Sequence, residues 1–409
     1  MRTSCLAATT AVVPSPAADW RHWLEQGLAA VPAERRRRLR SLAPTGGATL
    51  TPADATAGAA PLLDLASNDY LGLSRHPAVL AAAAAELVAS GLGAGASRLV
   101  SGSRPVHRQL EQALADWLGR RRVLLFPSGF QANLAAVVAL ADRHSLVLAD
   151  RLIHHSLLVG VRTSGARLQR FAHNDLADLR RRLEATRAAE PDRRLLVLSE
   201  SLFSMEGTSP AVTQLVALCE QHGAALLLDE AHALGLLGPG GRGLGHGHDS
   251  IALISGTLGK ALGSGGAFLA GDAITLEWLL QHSGPFRYTT ALAPPLAAGA
   301  LAALGWLQAQ EALGKPPGSA LLQRAARWRA GLEQAGWPRP PGQGPILPLL
   351  AGDNTRALAL QGRLEQAGLL SVAIRPPTVP EGTARLRLVL RADLPAGTLA
   401  RLVRELGCP

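Results

Sequence analysis

The chain has 409 residues, of which 47% are apolar and 18% charged, and its formal net charge is +10. That length exceeds one small core, and the apolar share suits a compact globular protein rather than a disordered one. The charge does not point to nucleic acid, because the arginines are spread along the chain and aromatic residues make up only 4%, too few for base stacking.

Residues 1–60 read as an N-terminal extension and helical segment. The first 18 carry Arg2 and no acidic residue. Their apolar run is short and interrupted by proline, which fits a disordered extension better than a targeting peptide. An amphipathic, arginine-rich helix is expected next, with Glu34-Arg-Arg-Arg-Arg-Leu-Arg40 on a solvated face, and then a proline-marked linker. Residues 61–293 read as a large domain. Within it Arg122–Phe126, Ser145–Ala149, Arg194–Leu198, Ala224–Leu228 and Ile251–Ile254 are short, continuous apolar runs that predict strands buried on both faces. Helical patterns at Gln131–Ala141, Ala177–Ala188 and Val212–His222 separate them. The alternation predicts an α/β fold, a mainly parallel central sheet flanked by helices. Pro294-Pro295 opens a smaller C-terminal α+β domain, residues 294–409. It holds a long helical stretch, a Pro/Gly break at Trp337–Pro345 and a strand over Arg385–Leu390.

Other patterns exclude more than they assign. The most membrane-like stretch, Ala291–Leu307, is broken by Pro294-Pro295, so no membrane span is expected. Cys5, Cys219 and Cys408 form no C-x-x-C pair. They argue against a zinc site and a disulfide framework, and for a reducing, cytoplasmic setting. Gly245-His-Gly-His-Asp249 reads as a solvated glycine loop, and no metal is expected. Gly91-Leu-Gly-Ala-Gly95 does not follow a strand, which rules out a dinucleotide fingerprint.

The chemistry starts from the lysines, of which there are two. Lys315 precedes a double proline and reads as exposed loop. Lys260, in Gly256-Thr-Leu-Gly-Lys260, follows an apolar run and lies among small residues. A lysine can form an imine once its pKa is lowered; an arginine cannot. Asp229 ends the apolar run of Ala224-Ala-Leu-Leu-Leu-Asp-Glu-Ala-His232. An imine lysine and a strand-end aspartate for a ring nitrogen are the two fixed points of a pyridoxal-phosphate site. Ser128-Gly129-Phe130 follows a strand and opens a helix, so its amides suit a phosphate. Ser255 and Thr257 add hydroxyls before the lysine. His232 is placed to bond a ring hydroxyl. His154 and His155 compete for the ring face. Arg375 can hold a carboxylate with its bidentate fork.

Ser67-Asn-Asp-Tyr-Leu-Gly-Leu73, Gly95-Ala-Ser-Arg98, Ser128-Gly-Phe-Gln-Ala-Asn133, Asp229-Glu-Ala-His232 and Gly256-Thr-Leu-Gly-Lys260 occur in an order and spacing that resemble the α-oxoamine synthases. These fold-type-I pyridoxal-phosphate transferases condense an amino acid with an acyl thioester and lose CO2. The resemblance runs from about Ala66 to the C-terminus. Ile374-Arg-Pro-Pro-Thr-Val-Pro380 looks most like the branch that makes 8-amino-7-oxononanoate in biotin synthesis. It implies L-alanine and a pimeloyl thioester, on carrier protein or coenzyme A, as substrates, and a homodimer. It implies that Lys260, Asp229 and His154 are catalytic, with His154 on the ring face. Gly129, Phe130, Ser204, His232 and Thr257 would contact the cofactor, and Asn68 and Thr378 the substrate. An N-terminal arginine, Arg37 or Arg38, would reach the acyl group.

Overall fold

A computed structural model describes residues 19–54 and 60–409. The first 18 residues, and the extension expected there, lie outside the described residues. The centre is a seven-stranded sheet in the spatial order Arg122–Phe126, Ala267–Gly271, Leu253–Thr257, Ala225–Asp229, Arg194–Glu200, Ser145–Asp150 and Arg167–Phe171. All neighbours are parallel except Ala267–Gly271, which runs antiparallel to the strand on each side. That strand and Arg167–Phe171 were not among the five apolar runs predicted. Ala267–Gly271 follows a glycine-rich turn, and its direction depends on the partners it meets.

Strand periodicity explains the layers. Successive side chains point to opposite faces. Leu146, Leu148, Leu195, Val197, Leu226 and Leu228 enter one core, while Val147, Ala149, Leu196, Leu198 and Leu227 enter the other. Helices cover both faces, which is why these strands read as continuous apolar runs. The helix Gly129–Leu140 starts at the end of its strand because Ser128 caps it, accepting from Gln131 N at 3.3 Å.

Pro294 and Pro295 start a helix, Pro294–Ala312, where a missing N–H costs nothing. It packs against Pro77–Ser90 and Pro105–Leu118. The C-terminal sheet is antiparallel, in the order Ile346–Gly352, Ala384–Val389 and Val372–Ile374. A third sheet brings N-terminal and C-terminal segments together: Leu369–Leu370 pairs with Leu62–Asp64 in a small sheet with Leu42–Gly46 and Thr49–Pro52.

The N-terminal expectation needs correction. The helix is Trp20–Ala29, and it ends before the arginines. Pro32 stands ahead of a single 3-10 turn, Ala33–Arg35, and Arg36–Arg40 continue without helix. Proline removes a donor, and adjacent like charges favour an open chain.

Among the described residues no helix is long and apolar enough to cross a membrane, and no group of three metal-ligating side chains forms. His246 and His248 bond instead to Leu118 O and Thr213 Oγ1.

Candidate active site

The polar strand ends converge as expected for ligand sites in α/β sheets. Asp229 lies in register between Glu200 and Ser255 on the two neighbouring strands. It is buried, 6% exposed. Its Oδ1 accepts from Ala231 N at 2.9 Å and its Oδ2 from Asn133 Nδ2 at 2.8 Å. Asn133 also donates to Ser156 Oγ at 2.9 Å. Both donors to Asp229 are neutral, and no arginine or lysine pairs with it among the described ion pairs. A buried carboxylate held this way is complementary to a cationic ring nitrogen. The motif containing Asn133 was legible, but its bond to the aspartate was not.

Lys260 follows the strand Leu253–Thr257 in a tight turn. Its Nζ donates to His232 Nε2 at 2.8 Å. The accepting Nε2 leaves the ring proton on Nδ1, which donates to Tyr70 Oη at 2.6 Å. Burial lowers the Lys260 pKa to about 8, with Asp229 and Glu200 pulling it back up and Arg387 adding to the fall. Burial, with the charge of Lys260 behind it, pushes His232 well below its ordinary value, so it is neutral. Burial raises the Tyr70 hydroxyl to about 12. The Asn68 segment is pressed onto the lysine turn through Gly263, whose φ is +61° and where a Cβ would meet Ser74 N at 2.3 Å. Only glycine accepts both constraints.

His154 caps the helix His155–Ser164; its Nδ1 meets Ser156 Oγ at 2.7 Å. Burial lowers its pKa, and Asp229 and Lys260 both act on it. His154, His155 and Ser204 line one cavity of about 620 Å³, with Arg37, Arg151, Arg170, Glu206, Thr378 and Pro380 among its other walls. Thr257 Oγ1 caps the lysine turn by accepting from Gly259 N at 3.2 Å. Gly129 and Phe130 form the first turn of their helix, where amides have no helical acceptor.

The arginines of the sequence reading fall in different places. Arg375 is half-buried and donates to Glu34 O; neither it nor Arg387 is in the cavity lining. Arg387, which the sequence reading passed over, is 6% exposed and donates from Nη2 to Asn68 Oδ1 at 2.9 Å. Its charge reaches Lys260, His232 and Tyr70. Its signal was the alternation in Arg385-Leu-Arg387, where a strand repeat puts two arginines on one face. At the N-terminus Arg37, not Arg38, lines the cavity, and its Nη2 donates to Thr378 Oγ1 at 3.1 Å. The extended chain after the 3-10 turn decides that register.

Pyridoxal phosphate fits this donor set: a half-buried lysine, a buried strand-end carboxylate with no ion pair among the described residues, and a helix start for the phosphate.

Comparison with known proteins agrees. The family model for aminotransferase class I and II matches residues 60–406. The 8-amino-7-oxononanoate synthase of Chromohalobacter salexigens is 45% identical over 337 residues, covering 81% of this chain and 85% of that protein. A high-resolution structure of SPT with PLP superposes with a TM-score of 0.83 at 26% identity, covering 94% of each chain. The 8-amino-7-oxononanoate synthase structure from Francisella tularensis gives a TM-score of 0.72 at 25% identity, covering 84% of this chain and 96% of that one. With its lysine, aspartate and histidine gathered at the ends of a type-I sheet, this chain belongs to the class I and II aminotransferase family of pyridoxal-phosphate enzymes and, within it, to the 8-amino-7-oxononanoate synthases.

Proposed function

We propose that the enzyme joins the α-carbon of L-alanine to the carbonyl carbon of a pimeloyl thioester, releasing CO2 and the free thiol and giving 8-amino-7-oxononanoate. The observation that carries this reading is the convergence of Lys260, held at His232, and Asp229, a buried carboxylate with no ion pair among the described residues, whose charge acts on that lysine.

When bound, pyridoxal phosphate supplies a ring that takes up the electron pair left when the amino-acid α-proton departs. The residues of the chain do the rest. Asp229, fixed by Asn133 and Ala231 N, holds the ring nitrogen protonated. Lys260, with its pKa near 8, takes the α-proton of alanine. Neutral His232 orients the lysine through Nε2, and the same nitrogen would bond the ring hydroxyl once the lysine is engaged with the cofactor. His154 covers one ring face. The helix start at Gly129 and Phe130, with Ser204 and Thr257, holds the cofactor. Arg387, oriented by Asn68, suits the alanine carboxylate; Arg375, just after the neighbouring strand Val372–Ile374, is the second candidate. Arg37 and Thr378 suit the acyl substrate.

A homodimer is part of the proposal. It is supported by the helix Trp20–Ala29, which buries none of its residues and exposes Trp20, Trp23, Leu24 and Leu28. Apolar faces of this kind call for a partner. So too are a cytoplasmic location, supported by the scattered cysteines, and the division into residues 61–293 and 294–409.

The test is direct. Purified holoenzyme is mixed with pimeloyl-coenzyme A and alanine, glycine or serine, and thiol release, CO2 and product mass are followed. Alanine should be preferred, with one CO2 per thiol. Preference for glycine or serine would make this a sister synthase. Amino transfer to a keto acid without CO2 would make it an aminotransferase.

A further inference from the structure

We infer that Arg391 is a positioning residue for the amino-acid site: clamped among Asp64, Asp69 and Asp393, it sets the segment Asp64–Ser74 so that Asn68 meets Arg387 and Tyr70 meets His232. The inference rests on the reading above, in which Arg387 takes the alanine carboxylate and Lys260 its α-proton.

Arg391 lies just past the strand Ala384–Val389, which carries Arg387. It is buried, and so is Asp64. Its Nε and Nη2 donate to the two oxygens of Asp393 at 2.9 and 2.8 Å, a paired fork. Its Nη1 donates to Ser67 Oγ at 3.0 Å and to Asp64 Oδ2 at 3.3 Å. Nη2 also lies 3.4 Å from Asp69 Oδ2. Two of the aspartates carry the grip along the segment. Asp64 Oδ1 accepts from Ala66 N at 3.0 Å and from Ser67 N at 2.9 Å, and Asp69 Oδ2 accepts from Ser74 Oγ at 2.7 Å. Backbone on both sides of Arg391 is stitched to the same segment. Val389 N donates to Leu65 O at 2.9 Å, and Ala392 N donates to Tyr70 O at 2.7 Å.

The segment presents its other side to the chemistry. Asn68 Oδ1 accepts from Arg387 Nη2 and lies 3.4 Å from Tyr70 Oη, which meets His232 Nδ1, and His232 holds Lys260. Arg391 has no hydrogen bond to Arg387, His232 or Lys260 among the described residues, so its influence passes through the segment. A single guanidinium outside the site therefore fixes the middle of a chain that runs from the carboxylate arginine to the imine lysine. Lysine could supply the charge but not a rigid fork that spans Asp393, Asp64 and Ser67 together. A looser cation leaves buried carboxylates partly unpaired, and their repulsion drives the segment away from the strand end. Asn68 and Tyr70 then leave their partners.

The test measures binding and spectra, not turnover. Holoenzyme of wild type, Arg391→Lys, Asn68→Ala and the double variant is titrated with alanine while the absorption of bound cofactor is followed. Arg391→Lys should weaken alanine by about tenfold and leave the affinity for pyridoxal phosphate unchanged. In the Asn68→Ala background the same substitution should cost at most about twofold, because the contact it acts through is gone. The pH midpoint of the cofactor absorption should shift in Arg391→Lys, since Tyr70 holds His232 against a lysine that also faces His154, Asp229, Glu200 and Arg387. Asp393→Asn keeps the shape and weakens the fork, so it should move both readouts the same way by less. Unchanged alanine affinity in Arg391→Lys and Asp393→Asn with a lowered thermal midpoint, or equal losses with and without Asn68, would overturn the inference and leave Arg391 a prop of the fold. Arg387→Ala, run alongside, separates this from the carboxylate reading. If Arg387→Ala binds alanine as wild type does, that reading fails, and the clamp is judged on the absorption alone, where an unshifted pH midpoint in Arg391→Lys overturns it.

Discussion

Arg387 Nε donates to Ser204 O at 2.6 Å, a bond that fastens the C-terminal sheet to the loop after the strand Arg194–Glu200. One guanidinium thus ties the small sheet to the cofactor side of the cavity while its other end meets Asn68. The proposed carboxylate site and the seating of the C-terminal sheet are thereby joined in one residue.

Arg387→Ala should raise the KM for alanine by about two orders of magnitude, because a desolvated carboxylate loses a bidentate partner. Arg387→Lys should recover little, since an ammonium lacks the fork. Arg375→Ala should cost at least about tenfold less, the guanidinium being turned toward Glu34. Steady-state kinetics on the three variants decide the matter; the reverse ranking would return the carboxylate to Arg375.

Lys260 should be the residue that borohydride joins to pyridoxal phosphate. Its lowered pKa leaves a large neutral fraction near pH 8, whereas Lys315 is exposed and has no cofactor-binding neighbours. Peptide mass mapping after reduction reads the answer. An adduct on Lys315 would move the site out of this cleft. Lys260→Ala should lose the covalent adduct and keep weak, reversible cofactor binding.

Asn133 deserves a substitution of its own. It donates to both Asp229 and Ser156, so Asn133→Ala leaves the aspartate with only Ala231 N. Asp229→Asn should slow alanine α-proton exchange by at least about 10²-fold, the scale for losing an electrostatic partner of developing charge. Asn133→Ala should slow it less and shift the absorption of bound cofactor. Near-normal exchange in Asp229→Asn would remove the aspartate from the chemistry.

Acid stability follows from the buried histidine. His232 stays neutral in the fold well below its ordinary pKa of 6.5, while the unfolded chain takes up a proton there. The unfolded state then binds more protons, so stability falls as pH drops through the window below 6.5 and is fully present above it. His232→Asn should remove part of that slope. Urea midpoints of cofactor-free wild type and variant, compared from pH 7 to pH 5, give the difference directly, which cancels the opposing contributions of the buried Glu200 and Glu230. Parallel curves would mean that His232 does not titrate below its ordinary value.

The sequence by itself determined the alternation of strands and helices and the polar strand ends, and it singled out Lys260 rather than Lys315 as the proposed imine lysine. These are local signals: apolar runs set by burial on both faces, a capping serine, a lysine among small residues. Gly129, Asp229 and Thr257 were legible because each sits where a strand stops. What only the tertiary structure decided lies between distant segments. Ala267–Gly271 runs against its neighbours, and no residue pattern encodes strand direction. Arg37 rather than Arg38 lines the cavity, because the chain is extended after the 3-10 turn Ala33–Arg35. Arg387 reaches Asn68 across 319 positions, and Lys260 meets His232 across 28. Sequence spacing names the groups able to do chemistry. Which of them touch is decided by packing and register, where a shift of one residue sends every side chain of a strand to the other face.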